Sequence, residues 1–373
     1  MKIAVNTRLL LKGRLEGIGW FMFETLKRIT RQHPEHEFYF IFDRAYDESF
    51  IFSENIHPVV TFPPARHPLF FYIWFEHIIP RTLKRIKADV FFSPDGYLSL
   101  RSKVRSHVVM HDLNFEHYPE DIPYLASKHY RYYFQRYAHK ADRIATVSEF
   151  SKDDIIKQYQ ILPEKIDVVY NGASAEFHVL SDVEKEEVKK KYTAGRPYFI
   201  FLSALSPRKN LVNLFYAFDQ LKQSDNQGLK LLVVGEKMYW THEIRDTYKQ
   251  MRYRDEVIFA GRLEFGELTR VLGAALALTY VSYFEGFGIP IVEAFYSGTP
   301  VITSNVTSMP EVAGDAAILV DPFSVDSVCQ AMQQIAHDGL LRKSMIIKGS
   351  ERAKLFSWQK SADLLWDSIQ KVF

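Results

Sequence analysis

At 373 residues, with 47% hydrophobic and 25% charged side chains, the chain is long enough for two domains that each bury a core, and too apolar to be disordered. A formal net charge of +2 supplies no basic field, so nucleic acid is not expected as a partner. The one cysteine, Cys329, allows no internal disulfide, and no Cys/His cluster has zinc-ligand spacing; both fit a reducing, cytoplasmic setting without a metal site.

Lys2–Val5 opens the chain as a strand rather than a signal peptide, because no long apolar stretch follows Lys2. No later stretch reaches the roughly 20 apolar residues of a membrane span. Further strands are predicted at Glu37–Ile41, Val90–Ser93, His107–Met110, Arg143–Val147 and Ile166–Tyr170. Helices fill the gaps near Gly19–Arg31, Tyr72–Arg85, Lys128–Lys140 and Ser151–Tyr159, an alternation that predicts a parallel sheet covered on both faces. Asp182–Lys191 carries eight charged residues in ten and reads as a solvated helix leading into a second domain. There the strands are Tyr198–Ala204, Leu229–Val234, Val257–Ala260, Leu276–Val281, Pro300–Thr303 and Ala317–Leu319, each followed by a helix. Gly235, Gly261, Gly286, Gly288 and Gly314 fall at or just after strand ends, the edge where open α/β sheets bind ligands. The expected architecture is two doubly wound α/β domains with a cleft between them.

The densest chemistry lies in Glu285-Gly286-Phe287-Gly288-Ile289-Pro290-Ile291-Val292-Glu293, where two carboxylates eight residues apart flank a glycine turn. The turn joins the buried strand before it to a helix over Ile289–Ser297, opened by Pro290. Backbone N–H groups at such a helix start attract phosphate and sugar oxygens. Adjacent cations at Arg208-Lys209, just after a strand, suit a diphosphate or form a solvated pair. Gly17-Ile18-Gly19 reads as a close-approach loop for a diphosphate or as a plain flexible loop. His111 stands just past a strand end. Ser148 or Ser151 is a natural helix N-cap, and the same segment, with Glu149, suits a ligand contact equally. Leu69–Lys87 sets the apolar run Leu69–Phe75 beside Arg81, Lys84, Arg85 and Lys87; it reads as a segment docking on anionic membrane or as a core helix with a solvated basic end.

These segments together resemble glycosyltransferase family 4, retaining enzymes of the GT-B architecture, whose signature is Glu-x7-Glu. Thr307–Asp315 resembles the family's loop after the Glu-x7-Glu helix. The resemblance implies two Rossmann-like domains facing a central cleft: residues 1–175 for the acceptor, 176–356 for the nucleotide sugar, and a closing helix within 357–373 that crosses back. It implies that Glu285 contacts hydroxyls of the transferred sugar, Glu293 the ribose, Arg208 and Lys209 the leaving diphosphate, and His111 the donor sugar or reacting centre. Gly17 and Gly19 would close over the diphosphate. Gly286, Phe287, Gly288 and Ile289 would line the donor turn, with the base near Gly261-Arg262-Leu263, and Ser148 and Glu149 would touch acceptor or sugar.

The expected reaction moves a hexose onto a glycan or lipid-linked acceptor. Mannose from GDP-mannose leads, because Asn6-Thr7-Arg8 with Gly17-Ile18-Gly19 looks like bacterial mannosyltransferases of polysaccharide assembly. A retaining glycosidase needs carboxylates about 5–5.5 Å apart, whereas eight helical residues rise about 12 Å. The pair is therefore expected to serve two ends of one ligand, and the resemblance implies a same-face, front-side displacement. No Asp-x-Asp occurs, so neither an essential metal nor a cofactor beyond the donor is expected. Tyr283-Phe284 and Met309 depart from the common family pattern and leave donor choice open. A nucleotide-sugar epimerase or hydrolase, and a silent partner subunit, are the alternatives; the intact acids and cations argue against the latter.

Overall fold

In the computed structural model, which describes residues 1–65, 68–224, 228–236 and 240–373, short apolar runs separated by helices form a parallel sheet in each of two compact units. The first unit comprises Met1–Gly172 with Trp358–Phe373, and the second Ala173–Ser357. The division thus falls three residues before the expected 175 and one after the expected 356; Ala173 and Ser357 pair through a short β-bridge, which keeps both in the second unit.

The first sheet contains β1 (Lys2–Asn6), β2 (Glu37–Phe42), β3 (Ile56–Val60), β4 (Val90–Ser93), β5 (Arg105–Val109), β6 (Arg143–Thr146) and β7 (Ile166–Val168), in the order β3-β2-β1-β4-β5-β6-β7. Sequence reading missed β3 because Pro58 interrupts its apolar pattern. An edge strand tolerates proline, having one side free of ladder bonds. The helices around this sheet are α1 (Gly17–Gln32), α2 (Pro68–Ile73), α3 (Ile79–Ile86), α4 (Asn114–His117), α5 (Tyr124–Lys140) and α6 (Glu149–Tyr159).

The second unit begins with the charged helix α7 (Asp182–Thr193), closed at its start by a reciprocal Ser181–Glu184 capping box. Its strands are β8 (Tyr198–Leu202), β9 (Lys230–Val234), β10 (Val257–Gly261), β11 (Ala277–Tyr280), β12 (Val301–Ser304) and β13 (Ile318–Val320), in the order β10-β9-β8-β11-β12-β13. Helices α8 (Leu211–Ser224), α9 (His242–Gln250), α10 (Phe265–Gly273), α11 (Ile289–Tyr296), α12 (Met309–Ala313), α13 (Val325–His337) and α14 (Gly339–Ala353) complete it. Cys329, on α13, is 1% exposed and packs in a core with Phe199, Phe201, Phe215 and Phe218. The last helix, α15 (Trp358–Gln370), lies in the first unit against α1; there Ser368 donates to Asp167 at 2.7 Å and Lys371 pairs with the same carboxylate at 2.8 Å.

Strand order reverses once in each sheet, between β1 and β4 and between β8 and β11. In open α/β sheets the loops leaving such a pair diverge and leave a crevice above the strand ends.

The run Leu69–Phe75 divides between the two readings open to it. Trp74 and Phe75 are fully buried, and the Trp74 indole donates to Thr61 at 2.8 Å. Glu76, also buried, accepts the N–H groups of Leu100 and Arg101 at 3.0 and 3.1 Å. Leu69 and Phe70 remain exposed, as do Arg81, Lys84, Arg85 and Lys87. The centre of the segment is core. Among the described residues no helix is long and apolar enough to cross a membrane.

Candidate active site

The loops after β8 and β11 bring the expected cations and acid together. After β8 the chain makes a single tight turn, Pro207–Lys209, and Asn210 follows in the left-handed region at φ 60. The Asn210 amide donates to the Val281 and Pro322 carbonyls at 3.0 and 2.7 Å, and the Tyr283 N–H donates to the Arg208 carbonyl at 3.1 Å. These bonds tie the first loop to the end of β11. Lys209 Nζ then donates to Glu285 Oε1 at 2.5 Å and to the Tyr280 hydroxyl at 3.2 Å, and Arg208 Nη1 lies 3.4 Å from Glu285 Oε2. Sequence reading gave Asn210 and Tyr280 no part in this. The signal available was an asparagine where the chain must turn, since asparagine tolerates this conformation better than most residues.

Glu285 is 6% exposed. Burial alone would push its carboxyl up, but Lys209 and Arg208, with hydrogen bonds from Lys209 and Ser282, outweigh this and hold it at about 2. The cluster is ionised at neutral pH and carries two positive charges against one negative. It is therefore cationic overall, as an anionic ligand requires.

The turn between the two acids is held from behind. Ser308 donates to the carbonyls of Glu285 and Phe287 at 2.9 and 3.1 Å, and the Glu285 N–H donates to Thr307 Oγ1 at 3.3 Å. The 307–315 segment thus props the glycine turn. Gly288 sits at φ +98, and a Cβ there would stand 3.0 Å from Ile291 Cδ1, so a larger residue would be strained twice over. No side chain caps α11; Pro290 has no N–H and the Ile291 N–H is taken by the Gly288 carbonyl at 3.0 Å, so the first turn offers the Ile289 N–H and the helix dipole. Gly286 is buried beside Gly288, and Ile289 is half-buried. The Phe287 ring is 3% exposed and packs edge-on against Phe356 at 5.5 Å.

Glu293, on α11, is half-buried, and among the described residues no side chain bonds its carboxyl. Burial without a countercharge pushes it up to about 8. The two acids of the signature are thus opposite in character, one locked ionised and one poised to lose its proton.

A folded-state value raised from 4.5 to about 8 costs nothing below 4.5, since the group is protonated in both states. The cost grows above 4.5 and levels off past 8. Glu293→Gln is therefore expected to stabilise the ligand-free protein at pH 7, by at most about 3 kcal/mol and less where water reaches the carboxyl. The gain should vanish at pH 4. Urea titrations at the two pH values check both statements.

The remaining expected positions are dispersed. Leu263 is half-buried just after β10, the edge strand that pairs with β9. Arg262 beside it lies 3.5 Å from Glu236. In the first unit, His111 follows β5, and its Nε2–H donates to the Pro94 carbonyl at 2.9 Å, which fixes the neutral tautomer with Nδ1 as acceptor. Burial holds its pKa below the usual histidine value, chiefly by disfavouring the charged ring. Ser148 is fully buried and caps α6, accepting the Ser151 N–H at 3.0 Å; capping is what this structure displays, while Glu149 is exposed. Gly17 is exposed at the start of α1; Gly19 is buried, and a Cβ on it would stand 3.3 Å from the Leu9 carbonyl. Among the described residues no group of three His, Cys, Asp or Glu side chains is arranged to hold a metal ion.

Comparison with known proteins joins the two halves. Residues 15–177 match the family described as Glycosyltransferase Family 4, and residues 182–352 match Glycosyl transferases group 1. O-antigen chain mannosyltransferase B of Escherichia coli is 29% identical over 74% of this chain and 73% of its own length. O-antigen chain mannosyltransferase RfbU of Salmonella typhimurium is 28% identical over 61% of this chain and 60% of its own. Among solved structures, HepE of Anabaena in complex with UDP-glucose superposes with a TM-score of 0.79 over the whole of both chains at 15% identity. WaaG, described as a glycosyltransferase involved in lipopolysaccharide biosynthesis, gives 0.76 over 97% of this chain and 99% of its own at 16%. At such identities the superpositions establish the fold alone. Matched in sequence over both units and in fold over its whole length, this chain belongs to the group 1 / family 4 glycosyltransferases of GT-B architecture.

Proposed function

We propose that the protein is a retaining, metal-independent mannosyltransferase that uses GDP-mannose to extend a glycan or lipid-linked acceptor in polysaccharide assembly. The observation that carries the transfer reading is the Arg208–Lys209–Glu285 cluster at the β8/β11 reversal, cationic overall and set beside the uncapped start of α11. A nucleoside diphosphate is the anion such a site suits: Arg208 and Lys209 take the charge that grows on the leaving group, and the dipole at the α11 start assists. Glu285, while bonded to Lys209, can accept hydroxyl donors from the transferred sugar. Glu293 can accept the ribose hydroxyls once it loses its proton. The mannose assignment draws on the names of the relatives, two of them O-antigen chain mannosyltransferases, and nucleotide-sugar binding gains support from the HepE complex with UDP-glucose.

Because ribose hydroxyls favour the charged carboxylate, nucleotide binding at pH 7 is expected to release up to one proton from Glu293. Calorimetric titration of GDP in two buffers of different ionisation enthalpy reads that number, and Glu293→Gln should bring it to near zero. Equal release by wild type and variant would remove Glu293 from the nucleotide site. Activity should also survive excess EDTA with no more than twofold loss; abolition by the chelator and rescue by a divalent cation would overturn the metal-independent reading.

Membrane association also belongs to this reading, and the surface that favours it is α5 more than α3. Tyr124–Lys140 contains no acidic residue, and it exposes Tyr124 (68%), Leu125 (70%) and Tyr132 (53%). Lys128 lies over the Tyr124 ring at 4.4 Å and Arg136 over Tyr132 at 3.6 Å. Aromatic side chains beside cations suit the headgroup region of an anionic bilayer. Lys128→Glu with Arg136→Glu is expected to release the protein from phosphatidylglycerol vesicles more completely than Lys84→Glu with Arg85→Glu, as read by vesicle sedimentation at low salt. Indifference of the wild type to such vesicles would end this part of the proposal.

A further inference from the structure

The first unit repeats the charged device of the second at its own strand reversal, with a different balance. Arg8 follows β1 and Asp95 follows β4, the two strands between which the order reverses. Arg8 Nε donates to Asp95 Oδ2 at 2.5 Å. The other carboxylate oxygen accepts the Asn6 amide at 2.8 Å, the Ser93 hydroxyl at 3.1 Å and the Tyr97 N–H at 3.3 Å. Asp95 is thus saturated and wholly buried at its side chain. The Arg8 guanidinium lies 4.7 Å from the Tyr97 ring centre and 5.0 Å from that of Phe71, and these two rings stack on each other at 5.2 Å. Its side chain is 11% exposed, and among the described residues nothing accepts from Nη1 or Nη2. The Pro94 carbonyl, one residue before Asp95, holds the His111 ring with Nδ1 as acceptor.

A guanidinium clamped on one edge, packed on its face and open on the other edge is a rigid pair of parallel donors. Two ligand classes suit such donors: an oxyanion, or two neighbouring hydroxyls of a sugar. Charge decides between them. At the second unit's reversal two cations face one carboxylate, which leaves a net positive site. At this one a single cation faces a single buried carboxylate, and burial disfavours a charge on His111, so the pair leaves no net charge to offer. A phosphate would meet Asp95 across the same guanidinium and lose its hydration for little return. A pyranose needs only donors and an apolar wall, which Nη1, Nη2 and Phe71 supply, and His111 is tied to Pro94 beside them.

We propose that Arg8, held by Asp95 and walled by Tyr97 and Phe71, forms a subsite in the first unit that reads vicinal hydroxyls of a neutral pyranose, the sugar of the acceptor. Calling that sugar the acceptor rests on the transfer reading above; the binding itself does not.

The test is saturation-transfer NMR on the full chain with methyl α-mannopyranoside, methyl α-galactopyranoside and methyl β-N-acetylglucosaminide, with inorganic phosphate as the competing probe. At least one glycoside should bind the wild type. Arg8→Lys, which keeps the charge and loses the parallel donors, should weaken it at least tenfold. A deoxy analogue lacking the hydroxyl that Arg8 reads should bind the wild type as weakly and lose nothing further in the variant. An unchanged circular dichroism spectrum and thermal transition of the variant serve as the control for folding. Binding of no glycoside, equal binding by Arg8→Lys, or displacement of the glycoside by millimolar phosphate would each overturn the proposal. A chain that binds the glycoside through Arg8 yet cleaves no nucleotide sugar would sink the transfer reading and leave this one standing.

Discussion

Glu285→Gln is expected to lower turnover by at least about 10²-fold while leaving nucleoside diphosphate bound as tightly as in the wild type, or tighter. The sequence alone suggested only that this acid faces the sugar. The structure adds that it is the counterion of Lys209, at 2.5 Å, and the neighbour of Arg208. An amide in its place still accepts a hydrogen bond but no longer neutralises a cation, so the cluster gains one positive charge toward a diphosphate. The sugar loses a charged hydrogen-bond acceptor, which is the stronger kind. Calorimetry with GDP and a single-turnover assay read the two halves separately. A variant with full turnover, or one that loses nucleotide along with rate, would contradict these roles.

How much of this was readable beforehand depends on the kind of residue. The alternation of apolar runs and helices predicted all the strands of both sheets except β3, where Pro58 breaks the pattern at an edge that tolerates it. The glycine turn between Glu285 and Glu293 was readable because Gly286 and Gly288 allow a tight turn and Pro290, two residues after Gly288, fits a helix start. Side-chain direction was not. Phe287 lies inside the signature, yet its ring belongs to the core with Phe356; local sequence cannot say which way a ring turns when its partner lies far along the chain. Trp74 and Phe75 stayed open between membrane and core for the same reason, since an apolar side chain suits a protein core as well as a lipid surface. Protonation was the least readable of all. Glu285 and Glu293 are the same residue type in the same nonapeptide, and the presence or absence of Lys209, 76 residues away from Glu285, sets their opposite behaviour.

The second large effect concerns the cations. Lys209→Met is expected to destabilise the protein by about 3–5 kcal/mol, because it leaves Glu285 buried without its nearest countercharge. Adding Glu285→Gln to it should recover most of that loss, since an uncharged pair of similar size carries no desolvation penalty. Activity should not return in the double variant. Arg208→Gln with Lys209→Met should slow the single-turnover rate more than it weakens donor binding, because negative charge on the diphosphate grows as the bond breaks. Denaturant titrations and rapid-quench assays supply both readings. A double variant no more stable than Lys209→Met, or a rate loss no larger than the binding loss, would show that the cluster is ordinary surface electrostatics.

The central claim is that the β8/β11 reversal of this chain activates a nucleotide sugar for transfer with retention. Proton NMR of GDP-mannose incubated with the protein tests it most directly, since the acceptor can be water and the anomeric signal of the first released sugar reports the stereochemistry. The account predicts slow release of GDP with α-mannose appearing first, lost in Glu285→Gln. Release of β-mannose first, or an intact donor after prolonged incubation across a panel of nucleotide sugars, would contradict it.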